Sequence, residues 1–110
     1  MILRRWRGAV RAHDAERYLA YVSETGVADY RGTPGNLGVL MLSRPVGDLV
    51  EVVTLSLWDS MDAVRAFAGE DPEQARYYPE DDQYLVEKDD RVEHHEVDEL
   101  DLDASLLGGA

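Results

Sequence analysis

Arg4 and Trp6 stand two residues apart in an opening run, Ile2 to Val10, that reads as a β-strand. Side chains at that spacing share a face of a strand. A guanidinium beside an indole can hold a planar ring and stabilise an oxyanion or phenolate. The same pair turned toward another subunit would be structural, and the sequence leaves the facing open. Trp58 ends a later strand and runs straight into a helix, where it can stack on a planar ligand or close the corner as a core residue. His94 and His95 look like metal ligands, but neighbours on a strand point to opposite faces and cannot easily share one ion. The chain has no Cys, and His13, its other histidine, lies far off at a helix start, so no metal is expected. One histidine facing a pocket can act as general base on a phenol, because its pKa lies near neutrality. A hydrogen-bonded structural histidine is the plainer alternative. Tyr77, Tyr78 and Tyr84, with Tyr18 and Tyr21, suit the lip of an aromatic pocket or the wet edge of a core, since Tyr buries a ring and leaves its hydroxyl to water. The run Glu80-Asp81-Asp82 and the pair Asp89-Asp90 read as solvated turns. Gly32, Gly35 and Gly38 do not precede a helix as a phosphate-cradling loop requires, and no nucleophile elbow is present.

Composition bounds what these residues can serve. The chain has 110 residues, 45% of them hydrophobic, which suits one domain with a core. A chain this short buries a modest share of its surface and gains from a partner. With no cysteine, disulfides and thiolate chemistry are excluded, and a cytoplasmic location fits. The N-terminal Met1 to Arg7 lacks the apolar run of a signal peptide, and no stretch reaches membrane-span length, so no membrane partner is expected. The formal net charge of -12 would repel a phosphate backbone, so nucleic acid is not expected either. Seven of the 11 basic residues fall in the first half and acids dominate from Glu70 onward, a distribution that needs no reading beyond solubility.

The elements that must position these side chains follow from periodicity. After the first strand, Ala15, Tyr18, Leu19 and Val22 recur at helical spacing, with His13 or Asp14 at the start and Gly26 as an interruption. A short helical turn is expected over Val27 to Tyr30. Gly32-Thr33-Pro34-Gly35 punctuates. Asn36 to Ser43 reads as a strand with Leu37, Val39 and Met41 on one face and Leu40 and Leu42 on the other. Arg44 to Asp48 reads as a hairpin loop. Leu49 to Trp58 is the strongest strand. Met61 to Ala68 is a helix capped by Asp59 or Ser60 and ended by Gly69. Asp71-Pro72-Glu73-Gln74 carries a helix-start signature and predicts a short helix to Tyr77 or Tyr78. Glu80 to Leu85 suits one more turn, and Asp90 to Val97 the last strand. A domain over residues 1–99 is thus followed by an acidic tail over 100–110, expected to be loosely held.

The order β-α-β-β-α-β is the ferredoxin-like arrangement: a four-stranded antiparallel α+β sheet with its helices on one face. The uncovered face should then alternate apolar with polar. It does not, because both central runs are apolar on both faces. A second copy of the chain is the simplest cover, giving a homodimer with sheets packed face to face.

The block Val53-Thr54-Leu55-Ser56-Leu57-Trp58-Asp59-Ser60-Met61-Asp62-Ala63 resembles the antibiotic biosynthesis monooxygenase family of dimeric α+β barrel proteins. Phe67-Ala68-Gly69-Glu70-Asp71 and the closing Val92-Glu93-His94-His95-Glu96-Val97 fit the same pattern, so the resemblance spans about Met1 to Glu99. It implies a pocket between helices and sheet. It also implies, from members studied, oxygenation of aromatic phenols by O2 with no metal or organic cofactor, or haem degradation in one branch. In that branch an Asn on the first strand, a Trp ending the third and a His on a helix form the site. Trp58 matches the Trp. The Asn position falls near Arg5 or Trp6 and the His position near Arg76 or Tyr77, which argues against haem degradation. The same match favours His94 as the recurrent histidine and Tyr77 as a ligand contact.

Two readings follow. In the first, the protein is a cofactor-independent monooxygenase for a small phenolic or quinol-like aromatic compound, with Trp58, Trp6 and Tyr77 holding the ring, Arg4 stabilising its anion and His94 as base. In the second, it is a non-catalytic small-molecule-binding or structural module of the same fold. If Met41, Val64 and Phe67 filled the space between helices and sheet, neither chemistry nor binding could occur there.

Overall fold

The structure, a computed structural model, describes residues 1–107. Its sheet has the order expected of the ferredoxin-like fold. The long strands are β1 (Ile2–Arg11), β2 (Asn36–Val46) and β3 (Leu49–Trp58), and β1 pairs antiparallel with β3, which pairs antiparallel with β2. The place of the fourth strand is shared by two short ones, β4 (Leu85–Lys88) and β5 (Glu93–Glu96), both antiparallel to β1. The final strand therefore begins earlier than its sequence suggests and is broken over residues 89–92. The sheet has five strands by this division rather than four.

Several local expectations are corrected. The first helix does not end at Gly26. A 3-10 turn over Ala12–Asp14 leads into α1 (Ala15–Val22), a wide π turn carries the chain through Ser23–Val27, and α2 (Ala28–Gly32) continues it. The wide turn absorbs the poor helix formers, with the Thr25 hydroxyl donating to the Tyr21 carbonyl at 2.8 Å. The hairpin loop shrinks to Gly47-Asp48, Gly47 taking a φ of +61°. Arg44 and Pro45 stay paired in β2, where an edge strand tolerates proline. Leu37 does not share the inward face of Val39 and Met41, because a bulge between Asn36 and Gly38 leaves it exposed.

The helix expected after Asp71 does not form. α3 (Met61–Ala68), capped by the Ser60 hydroxyl accepting from the Ala63 amide, is followed by an irregular strap over residues 69–80 and then α4 (Asp81–Tyr84). The strap's backbone groups are taken by the sheet edge instead of by a helix. Val92 N donates to the Glu73 carbonyl at 2.7 Å, and Ala75 N donates to the Asp90 carbonyl at 2.9 Å.

Burial on β1 alternates as a strand covered on one side requires, with Ile2, Arg4, Trp6 and Gly8 inward. Helices and strap cover that face. Ile2, Tyr30, Trp58, Ala63, Val64 and Phe67 form one cluster near α3, and Trp6, Val10, Tyr18, Val22, Val52 and Val92 a second under α1. Each buried large side chain contributes about 1.5–3 kcal/mol. The other face carries Leu40 opposite Leu55 and Leu42 opposite Val53, with Leu40 50% and Leu42 43% exposed. Among the described residues no helix is long and apolar enough to cross a membrane.

Candidate functional site

A pocket with about 30 Å3 of internal room, or about 450 Å3 when the open space at its mouth is counted, opens between the sheet, α1, the π turn and the strap. It lies where the two core clusters meet. Phe67 forms one wall, while Met41 and Val64 do not line it, so the space between helices and sheet is not filled. The remaining walls are largely aromatic, with Trp6 from β1, Tyr18 from α1, Tyr30 from α2, and Tyr77 and Tyr78 from the strap.

Arg4 is the unusual residue. Its side chain is 2% exposed and lines the pocket. Nη1 donates to the Pro72 carbonyl and lies 3.0 Å from His94 Nε2, and Nη2 donates to the Gln74 carbonyl at 3.2 Å. Nε has no partner. No Asp or Glu among the described residues pairs with this cation. Burial pushes the guanidinium down from its ordinary value, opposed by the neighbouring Tyr30 hydroxyl. A buried charge normally carries a counter-ion, because leaving it unpaired costs several kcal/mol.

His94 faces the same side of the sheet by register, opposite Arg4. An arginine can only donate, so His94 Nε2 must accept, which puts the imidazole proton on Nδ1. Burial first, and the Arg4 charge second, hold this histidine below its ordinary range. His95 points the other way, toward Glu93 at 3.5 Å. Among the described residues no group of three or more His, Cys, Asp or Glu is placed to hold a metal ion.

Trp6 Nε1 donates to the Tyr77 hydroxyl at 2.9 Å, and the two rings meet edge to face at 6.1 Å. The Tyr77 hydroxyl in turn donates to the Asp89 carbonyl. The indole has room because residue 8 is glycine: a Cβ there would stand 2.7 Å from Trp6 Cη2 and 2.7 Å from Leu85 Cδ2. The structure thus brings Arg4, Trp6 and Tyr77 together around one space, while His94 bonds to Arg4 without lining it. It does not bring Trp58 to it. Trp58 is fully buried behind Phe67, 5.6 Å from it between ring centres, with Nε1 donating to the Ser56 hydroxyl at 2.9 Å.

Asp81 is no solvated turn residue. It is 4% exposed and lines the pocket, with Oδ1 accepting from the Tyr18 hydroxyl at 3.0 Å and Oδ2 from the Tyr78 amide at 2.6 Å. Burial raises its pKa above the ordinary value despite these donors. At the mouth, Arg76 packs on Phe67 at 4.9 Å and on Tyr78 at 5.3 Å, and pairs with Asp29 at 3.3 Å. Asp81, Arg76 and Tyr30 are lining residues that sequence reasoning missed, while Phe67, expected only as a possible filler of this space, is one of its walls. The only signal for Asp81 was its place just after Pro79, at the start of a helical turn.

Fold and pocket together define a ferredoxin-like α+β protein with an aromatic-walled pocket beneath its helices and a buried arginine in it. Two solved structures share this fold. One is a candidate antibiotic biosynthesis monooxygenase from Bacillus cereus, 14% identical, covering 93% of this chain and 97% of its own with a TM-score of 0.65. The other is an arginine-to-serine variant of MhuD, with two manganese protoporphyrin IX molecules bound per active site. It is 20% identical and covers 94% of this chain and 100% of its own, with a TM-score of 0.59. The resemblance read from the Val53–Ala63 block is met at the level of fold. No protein-family model matches the chain, and no curated protein matches it by sequence.

Proposed function

We propose that the pocket binds a small planar aromatic compound and that the protein acts on it as a cofactor-independent monooxygenase. The carrying observation is the buried cation of Arg4, without a carboxylate partner, in a space walled by Trp6, Tyr77 and Phe67. Aromatic walls supply stacking area, and a desolvated cation favours the electron-rich deprotonated form of a phenol- or quinol-like ring. An anthrone-type substrate gives up a methylene proton to solvent water as its enolate forms, and the carbanion carbon then adds O2 and takes a proton back from solvent to form a hydroperoxide. Loss of water then leaves a carbonyl, so one ring methylene and one O2 become one ketone and one water. One oxygen atom enters product, the other leaves as water, and the substrate supplies all four electrons. The protein's part is to exclude water, orient the ring and hold its negative charge. His94, its Nε2 lone pair engaged by Arg4, supports a positioning role better than that of a base.

Oxygen uptake tests this reading. Purified protein mixed with anthrone- and quinol-type compounds should consume O2 above buffer, and Arg4→Gln should lower the rate at least ten-fold. No uptake with any of them would leave the alternative, a non-catalytic binding module of the same fold.

We further propose that the outer sheet face meets a second copy. Leu40, Leu42 and Val46 are each more than 40% exposed on it, and large apolar side chains exposed together on one face mark an interaction surface. Beside them Glu51 sits between Arg44 at 2.8 Å and Arg7 at 2.7 Å, which hold its carboxyl down to about 2.

A further inference from the structure

We infer that the pocket selects aromatic ligands that arrive already ionised, the class being aromatic carboxylates, and that Arg4 Nε is the donor that receives their charge. The inference rests on the reading above only for the place of the ligand. It begins with the donors of Arg4. Nη1 serves Pro72 and His94 and Nη2 serves Gln74, all neutral acceptors, so they fix the guanidinium without neutralising it. Nε–H is left buried and without an acceptor. Native proteins seldom leave such a group unpaired, and a ligand oxyanion here would satisfy the hydrogen bond and the charge together.

The second half of the argument concerns proton acceptors. A phenol, neutral at pH 7, must lose its proton on entry to become an anion. That proton must be released to solvent at a cost in affinity, because the side chains able to take it are already engaged. His94 Nε2 accepts from Arg4, and protonating it would set a second cation against the first. Asp81 is the carboxylate lining the pocket, and each of its oxygens already holds a donor. The Tyr18 and Tyr78 hydroxyls donate to carboxylates, and the Tyr77 hydroxyl to a carbonyl. A carboxylate needs no base, because it is ionised in solution before it binds. The aromatic walls then take the ring.

The test compares three probes of one shape: 2-naphthoate, 2-naphthamide and 2-naphthol, titrated into the full chain at pH 7. Tryptophan fluorescence reports binding, and calorimetry in two buffers of different ionisation enthalpy counts protons. Naphthoate should bind at least ten-fold tighter than the amide, the scale of one charge-assisted hydrogen bond, with no proton exchanged. In Arg4→Gln that preference should fall below three-fold. Because Arg4→Gln removes a buried group that ties down the strap, the proton count on the unaltered protein stands as an independent measurement. Equal binding of acid and amide, binding of none of the three, or naphthol binding as tightly as the acid with a proton released would each overturn the inference. Acid preference without oxygen uptake sinks the oxygenase and leaves this inference standing, and oxygen uptake without acid preference does the reverse.

Discussion

Arg4 donates to His94 across 3.0 Å between adjacent strands β1 and β5, and the two residues are 90 apart in the chain. The contact holds His94 neutral. Burial and the Arg4 charge place its folded pKa below the ordinary 6.5. The unfolded chain therefore binds a proton just below pH 6.5 that the folded chain refuses. Stability from this contact is complete above pH 6.5 and is lost as pH falls through the depressed folded value. Glutamine at this position offers an amide oxygen to Arg4 and does not titrate. His94→Gln should keep the fold at pH 7 and flatten the loss of stability as pH falls below 6.5, read as Tm against pH. An unchanged slope would show that the acid sensitivity arises elsewhere.

Trp58 should report on stability before it reports on binding. It is fully buried against Tyr30 and Phe67. Trp58→Ala should cost about 3–5 kcal/mol in urea unfolding. Trp58→Phe keeps a ring but loses the bond to Ser56, and should cost about 1–3 kcal/mol. Probe affinity in Trp58→Phe should stay within about three-fold of the unaltered protein. A larger loss of affinity at small cost in stability would place Trp58 against the ligand after all.

Gly8 holds the door open for Trp6. A methyl group at residue 8 would press on the Trp6 indole, which its bond to Tyr77 keeps from swinging aside. Gly8→Ala should cost about 1–3 kcal/mol by overpacking and weaken ring binding. Normal binding by Gly8→Ala would mean that the indole is free to move.

Asp81 ties α4 to α1 and the strap. Asp81→Ala leaves the Tyr18 hydroxyl and the Tyr78 amide without their acceptor, at about 1–3 kcal/mol each. Asp81→Asn keeps one acceptor and should lose less. Its pH contribution runs opposite to that of His94. The folded pKa is raised above 3.8, so the folded chain binds more protons in the window just above that value, and this group favours folding as pH falls there. Equal losses in the two variants would show that the acceptor bonds carry little.

The outer face makes a size prediction. The chain should elute at about twice the mass of one chain, and Leu40→Asp with Leu42→Lys should move it to the monomer position. Elution of the unaltered protein as a monomer would leave Leu40 and Leu42 facing water and remove the second copy.

The sheet was largely legible because strand and helix periods are local properties. Val52, Thr54 and Val39 alternate with Val53, Leu55 and Leu40 as the two faces require, and Ser60 caps α3 as its side chain allows. The strap was not legible. Asp71-Pro72-Glu73-Gln74 has the right residues for a helix start, but Arg4 and the edge at Val92 take the carbonyls of Pro72, Gln74 and Glu73. A distant partner overrode a local preference. Asp81 was hidden for a related reason: in a run of acids nothing local marks the one that turns inward.

The sequence by itself determined the strand order, the two apolar faces of the central strands and the presence of an arginine and a tryptophan on one side of β1. Those follow from alternation and turn chemistry over a few residues. Only the tertiary structure decided that Arg4 is buried without a counter-ion among the described residues, that His94 serves it as an acceptor, that Tyr77 rather than Trp58 joins Trp6 at the pocket, and that Asp81 lines the same space. Burial and partnership depend on residues brought together across 63 to 90 positions, and no local pattern encodes which of several capable side chains will meet.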